Sequence, residues 1–67
     1  MTYGKKFLEF RAKYGLTQVE LSNIIGVTTN TIHRTESEKT TPSKRNEIIY
    51  EKKMKEWEQK KNGNVSL

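Results

Sequence analysis

The chain has 67 residues, a formal net charge of +5 at pH 7 and no cysteine. A chain of this length forms one small domain that buries only about 60% of its unfolded surface, and without cysteine it has neither disulfides nor a thiolate metal site. No apolar run exceeds three residues, so the sequence predicts no membrane span and no signal peptide, and we expect a cytoplasmic protein.

The side chains that carry enzymatic chemistry are few. The one histidine, His33, has neither a nucleophile nor a second metal ligand close to it in the sequence. The chain also lacks a glycine-rich phosphate loop and paired carboxylates in an apolar stretch. We therefore predict no catalytic residue, no metal site and no cofactor, whereas the positive charge favours a polyanionic partner.

The first predicted helix covers residues 3–14. Phe7, Phe10 and Tyr14 recur at helical spacing and are expected to face the core. Arg11 falls on the same side, which is unfavourable for a guanidinium group unless another group neutralises it. The sequence therefore requires an explanation for Arg11 that the first helix alone does not provide.

The second predicted helix covers residues 18–25. Thr17 and Glu20 have the spacing of a capping box, in which each side chain accepts the backbone amide of the other. Gly26 suits the left-handed turn after the last helical residue. Gln18 occupies the first helical position, where unpaired amides and the positive end of the helix dipole attract a phosphate. Gln18 therefore either contacts a nucleic-acid phosphate or only fills the turn.

The third predicted helix covers residues 29–36 and begins after Thr28, whose hydroxyl can cap it. Ile32 is its only strongly apolar residue, so the opposite side of the helix is polar. Four residues on that side can donate or accept hydrogen bonds at base edges in the major groove: Thr29, Asn30, His33 and Arg34. This side is therefore either a solvated helix surface or a surface that contacts DNA bases.

Positive charge flanks the second and third predicted helices. Residues 1–16 and 37–67 each carry a net charge of +3, whereas residues 17–36 carry −1. Phosphate contacts position a DNA-binding protein and base contacts supply sequence information, so this distribution is typical of basic flanks around a base-contacting centre. The candidate phosphate contacts are Thr17, Gln18, Thr28, Thr31, Lys39 and Lys44.

A long, highly charged fourth helix is predicted over residues 42–61. Thr41 would cap it, and Pro42 suits its first turn because proline has no amide hydrogen to leave unpaired there. Ile48 and Ile49 are expected to close the core against the first and third helices.

A second apolar stripe on this helix consists of Tyr50, Met54 and Trp57. If the helix is straight, the stripe lies beyond the small core and is a candidate interface for a second copy of the chain or for another protein. If the helix breaks and folds back, Trp57 is buried within the monomer. Residues 62–67 are predicted to be a disordered tail.

The spacing of eleven residues resembles the helix-turn-helix of the Cro/CI (XRE) family of phage and bacterial repressors. These residues are Arg11, Gly15, Leu16, Thr17, Gln18, Leu21, Gly26, Val27, Thr28, Ile32 and Glu36. The resemblance covers about residues 5–43. It implies an all-α fold with a lambda-repressor-like helix-turn-helix. We predict a single domain over residues 1–61, which includes the long charged C-terminal helix that the resemblance does not cover. The resemblance also implies an ion pair between Arg11 and Glu36, whereas the alternative is an ordinary exposed arginine.

Two positions depart from the family pattern. Ser22 replaces the usual alanine where the two helices of the motif pack closest, and we expect its hydroxyl to bond back into its own helix. Thr35 replaces a large apolar residue, so we expect weaker packing between the end of the third helix and the segment that follows.

We therefore predict a sequence-specific DNA-binding transcription regulator of the repressor type, with its third helix in the major groove of double-stranded DNA. A homodimer would place two such helices about 34 Å apart on a palindromic operator. The resemblance implies a phage, plasmid or bacterial chromosome as the source, and hence the cytoplasm of a bacterium or of a phage-infected host. The alternative is a protein-binding helix-turn-helix module, an antirepressor or antitoxin that acts on another regulator.

Overall fold

The computed structural model describes residues 3–61, which form four helices joined by short turns and contain no strand. The helices are α1 (Tyr3–Tyr14), α2 (Gln18–Ile25), α3 (Thr29–Glu36) and α4 (Lys44–Lys61). The prediction of an all-α fold is confirmed. None of these helices is long and apolar enough to cross a membrane. The predicted disordered tail, residues 62–67, lies outside the described residues.

Local capping interactions set the ends of α2 and the start of α3. Thr17 Oγ1 accepts the Glu20 amide at 3.1 Å, and Glu20 Oε1 accepts the Thr17 amide at 2.8 Å, which completes the capping box. Gly26 has a φ of 75° and donates its amide to the carbonyl of Ser22, which ends α2. Thr28 Oγ1 accepts a backbone amide of the first turn of α3 at 3.1 Å. The sequence predicted these three caps.

The end of α3 has a geometry that the sequence did not indicate. Glu38 has a φ of 63°, a left-handed conformation that glycine usually adopts at this position. Its amide donates to the carbonyl of Thr35 at 3.0 Å, and the Lys39 amide donates to that of Arg34 at 2.9 Å. This pair of bonds is the Schellman motif, so α3 ends in a defined turn without a glycine.

The fourth helix begins later than predicted. Its first residue is Lys44, and Ser43 Oγ accepts the Asn46 amide at 3.2 Å, the bond that a capping side chain makes. The predicted start at Pro42 with Thr41 as the cap is therefore wrong by two residues. The reason is that serine is also a good capping residue and lies closer to the helical run.

The core is built on Phe7, Leu21 and Ile32, one residue from each of α1, α2 and α3, and all three are fully buried. The prediction that Ile48 and Ile49 close this core is wrong, because these two residues are 64% and 40% exposed. Since α4 directs another of its sides at α1 and α2, these two isoleucines lie in solvent.

The side of α4 that faces α1 is the stripe predicted to bind a partner. Tyr50 and Met54 are buried, at 7% and 8% exposure, and the Tyr50 ring lies 5.8 Å from that of Phe7. The half-buried Trp57 ring packs edge-on 5.0 Å from Tyr14. The prediction that this stripe is a partner interface is therefore wrong for Tyr50 and Met54, and Trp57 packs within the chain.

Burial of the stripe does not require a break in the helix. Lys6 of α1 pairs with Glu51 of α4, and Lys13 pairs with Glu58, so both partners advance by seven residues in the same direction. The two helices therefore run side by side and parallel, and α4 is continuous from Lys44 to Lys61. The large aromatic side chains bridge the space between the two helices, so a straight α4 does not leave the stripe exposed.

A hydrogen bond near the end of α4 perturbs one carboxyl group. Tyr14 Oη donates to Glu58 Oε2 at 2.6 Å, and Lys13 Nζ lies 3.4 Å from the same oxygen. The bond from Tyr14, helped by the positive charges of Lys13 and Lys55, lowers the pKa of Glu58 below its usual value. Because the pKa is lower in the folded state, this group stabilises the fold above about pH 4, and its contribution is lost as the pH falls through the folded pKa.

Replacing Tyr14 with phenylalanine should therefore raise the pKa of Glu58 towards its usual value, because the hydroxyl is lost while the ring remains. The measurement is an NMR titration of the Glu58 carboxyl group in both proteins. In thermal melts, the variant should be less stable than the wild type at pH 7, and the difference should shrink as the pH falls below 4. A stability difference that does not depend on pH would contradict this assignment.

Candidate nucleic-acid interface

The third helix has one buried side and one exposed side. Ile32 is fully buried and Thr35 is 3% exposed, so these two residues attach α3 to the rest of the domain. Asn30, His33 and Arg34 are exposed. The three side chains predicted to be available to DNA bases are therefore accessible on one helix that is anchored from behind.

Thr29, the fourth predicted base contact, is in a different environment. It is half-buried, and its Oγ1 atom lies 3.5 Å from Oγ of Ser22 on α2. Ser22 itself is 4% exposed and donates its hydroxyl to the carbonyl of Val19 at 2.6 Å. The expected back-bond of Ser22 into its own helix is thus present, and the same side chain also contacts α3.

A buried carboxylate joins the ends of three helices. Arg11 Nη1 donates to both Glu36 carboxylate oxygens, at 2.7 and 2.9 Å, and Arg11 Nε donates to the carbonyl of Leu16 at 3.1 Å. The side chains of Arg11 and Glu36 are 23% and 7% exposed. The ion pair implied by the resemblance is therefore present, and it explains why an arginine lies on the inner side of α1.

Gln18 takes part in the same network, which the sequence analysis missed. Its Nε2 donates to Glu36 Oε1 at 2.9 Å, so Gln18 connects the start of α2 to the end of α3. The side chain does more than fill the turn. An amide nitrogen carries two hydrogens, and the bond to Glu36 uses one of them.

The remaining candidate phosphate contacts lie at helix starts and in the turn after α3. Thr17, Thr28, Lys39 and Lys44 are exposed and Thr31 is half-buried. The Thr28 and Thr31 hydroxyls are 2.9 Å apart and bond to each other. These hydroxyl and ammonium groups are the kind that contact phosphate oxygens in DNA complexes.

A family model described as helix-turn-helix matches residues 8–53, about two thirds of the chain. The chain belongs to this family, in its Cro/CI-like (XRE) group. The comparisons with curated proteins and with solved structures gave no match. This helix-turn-helix protein is accordingly a DNA-binding regulator. The match stops before Met54, so the burial of Met54 and the contact of Trp57 with Tyr14 lie outside the part that the family model describes.

One contact of the helix-turn-helix protein depends on a glycine that the sequence analysis did not single out. Gly4 is buried in the first turn of α1, directly against the end of α3. A Cβ atom on Gly4 would overlap the carbonyl oxygen of Thr35 and would lie 3.0 Å from Cα of Glu36. A glycine inside a helix lowers stability, so its presence there indicates that a close packing contact requires it. This is the signal in the sequence that could have identified Gly4.

Proposed function

We propose that this chain is a sequence-specific transcription regulator, a repressor of the Cro type, that binds double-stranded DNA with α3 in the major groove. The observation that carries the proposal is the two-sided α3, whose exposed side bears Asn30, His33 and Arg34 while Ile32 anchors the other side. A solvated helix surface needs no such anchoring by two other helices, α1 and α2. A base-contacting helix does, because base contacts require a defined position in the groove.

The exposed side chains of α3 have the chemistry for base recognition. An asparagine can form two hydrogen bonds with N6 and N7 of adenine, and an arginine can do so with O6 and N7 of guanine. Asn30 and Arg34 lie four residues apart on one side of α3, so they can contact neighbouring base pairs. His33 and Thr29 would contact bases next to those that Asn30 and Arg34 contact.

The network around Glu36 supports the same surface. Glu36 is the last residue of α3, and an unpaired carboxylate there would repel DNA phosphates. Arg11 neutralises it from within the domain, and Gln18 holds it through a second hydrogen bond. The end of α3 therefore adds no free negative charge to the proposed interface.

Positions around α3 would hold the DNA backbone. In the proposal the phosphate contacts are Thr17, Gln18, Thr28, Thr31, Lys39 and Lys44. Lys39 and Lys44 are exposed and come from the turn after α3 and the start of α4. Two copies on a palindromic operator would place their α3 helices about 34 Å apart, one turn of DNA.

The test is selection from a random duplex pool at two salt concentrations, with the wild type, Arg34→Ala and Lys44→Ala. We expect an enriched motif for the wild type. Loss of the Arg34 guanidinium should relax the preference at one base pair per half-site, at a cost of about 1–3 kcal/mol. Lys44→Ala should weaken binding to all sequences about equally and reduce the salt dependence, because it removes a phosphate contact.

The matched control is Lys52→Ala, which removes one exposed positive charge from α4 outside the proposed interface. It should leave both the motif and the salt dependence close to those of the wild type. Unchanged base preferences in Arg34→Ala would count against the assigned base contact. The absence of any enriched motif for the wild type at either salt concentration would exclude a sequence-specific DNA-binding protein.

A second candidate function is a protein-binding helix-turn-helix module, an antirepressor or antitoxin that acts on another regulator. The observation in its favour is exposed apolar area: Val19, Ile48 and Ile49 are 55%, 64% and 40% exposed. These exposed residues take the place of Tyr50 and Met54 as the candidate interface, because Tyr50 and Met54 are buried. An apolar protein interface should respond little to salt, whereas phosphate binding weakens steeply as salt rises. The salt dependence of binding to the partner, DNA or protein, therefore separates the two functions.

A further inference from the structure

The hydroxyl group of Ser22 lies buried between α2 and α3 and has a single hydrogen to donate. That hydrogen is used in the 2.6 Å bond to the carbonyl of Val19. The lone pairs of Ser22 Oγ remain, and Thr29 Oγ1 lies 3.5 Å from this oxygen across the helix junction. In this contact Ser22 can therefore only accept.

The bond that Ser22 donates to Val19 decides which hydroxyl donates in the contact between Ser22 and Thr29. Since Ser22 has no second hydrogen, the hydrogen in the contact must come from Thr29, whose hydroxyl then points towards α2. Thr29 is the first residue of α3 and is only half-buried, so its oxygen lone pairs are left for the exposed side. At 3.5 Å the contact is long for two hydroxyl groups, so it biases the orientation of the Thr29 hydroxyl by only as much as this weak bond contributes.

We propose that Ser22 is a positioning residue that makes Thr29 a hydrogen-bond acceptor at the DNA interface. This inference rests on the proposed function, the reading of DNA bases by α3. In the major groove, adenine N6 and cytosine N4 donate hydrogen bonds, whereas the polar groups of guanine and the carbonyl of thymine only accept them. An acceptor at Thr29 therefore favours adenine or cytosine over guanine or thymine on the contacted strand. Alanine at position 22 would leave Thr29 free to donate or accept.

The experiment compares the base preferences of four full-length proteins: the wild type, Ser22→Ala, Thr29→Val and the double variant. Thr29→Val keeps the shape of the side chain and removes the hydroxyl, so the motif position at which it alters the preference is the one contacted by Thr29. At that position we expect the wild type to prefer adenine or cytosine over guanine or thymine about fivefold. This preference is at the low end of the range for a base contact, because only one hydrogen bond is involved. In Ser22→Ala the preference should fall below about twofold.

The double variant tests whether Ser22 acts through Thr29. If it does, Ser22→Ala should change nothing further once Thr29 is valine, so the double variant should have the profile of Thr29→Val. A merely structural role of Ser22 would weaken binding to every sequence without changing the profile. Circular dichroism melts of the four proteins should show similar stability, because alanine fits the same space.

The outcomes separate this inference from the proposed function. If the wild type enriches a motif but Ser22→Ala has the same profile, or changes a position that Thr29→Val leaves unchanged, the role of Ser22 is refuted and the DNA-binding proposal stands. If the wild type enriches no motif, the proposed function fails and the inference fails with it. Loss of the preference in both single variants at one shared position is the supporting result.

Discussion

Replacing Arg11 with alanine is expected to lower the free energy of unfolding by about 3 kcal/mol or more. The substitution leaves the Glu36 carboxylate, whose side chain is only 7% exposed, without its positive partner. It also removes the hydrogen bond from Arg11 Nε to the carbonyl of Leu16. Gln18 alone would remain to bond Glu36 Oε1, and a single amide cannot compensate a buried charge. In a domain of this size such a loss approaches the whole stability.

The measurement is urea unfolding followed by circular dichroism, with Lys6→Ala as the matched control. Lys6 also pairs with a glutamate, Glu51, but the two side chains are 46% and 50% exposed, so their loss should cost less than 1 kcal/mol. Adding Glu36→Gln to Arg11→Ala should recover part of the stability, because it removes the unpaired charge. Equal effects of Arg11→Ala and Lys6→Ala would show that the Glu36 pair is not desolvated in solution.

Replacing Gly4 with alanine is expected to destabilise the domain by about 2 kcal/mol, although alanine is the better helix former. The added methyl group would overlap the backbone carbonyl oxygen of Thr35. A backbone atom in a helix cannot turn aside as a flexible side chain can, so α1 and α3 must separate. That separation also moves Glu36, whose Cα lies 3.0 Å from the position of the new atom.

Thermal melts of Gly4→Ala and of Lys5→Ala provide the comparison. Lys5 is the next residue of the same helical turn and is exposed, so its replacement should change the stability by no more than about 0.5 kcal/mol. An alanine at position 4 that stabilises the protein would mean that helix propensity outweighs the contact, and that α1 can move away from α3 at little cost.

Features set by neighbouring residues could be predicted from the sequence. The capping box of Thr17 and Glu20, the glycine after α2 and the Thr28 cap each depend on residues within four positions of one another. Their hydrogen bonds form whenever the local helix forms, so spacing alone indicates them. The ion pair of Arg11 with Glu36 spans 25 positions and followed only from the family resemblance, since no local rule connects these residues.

The packing of α4 could not be obtained in the same way. Ile48 and Ile49 are at least as apolar as Tyr50 and Met54, and their spacing does not say which pair is buried. The choice depends on the direction of α4 after the turn at Ser43 and on the length of the side chains that reach across to α1. Hydrophobicity ranks residues for burial but does not select among several helix sides of similar composition.

The sequence by itself determined the presence of the four helices, both caps of α2, the Thr28 cap of α3 and the exposed polar side of α3, because these depend on nearest neighbours and on helical periodicity. Only the tertiary structure decided which side of α4 is buried, why Gly4 must be a glycine and where the hydroxyl of Thr29 points. Each of these depends on two segments that are far apart in the chain and meet at one distance and orientation, which local spacing does not encode.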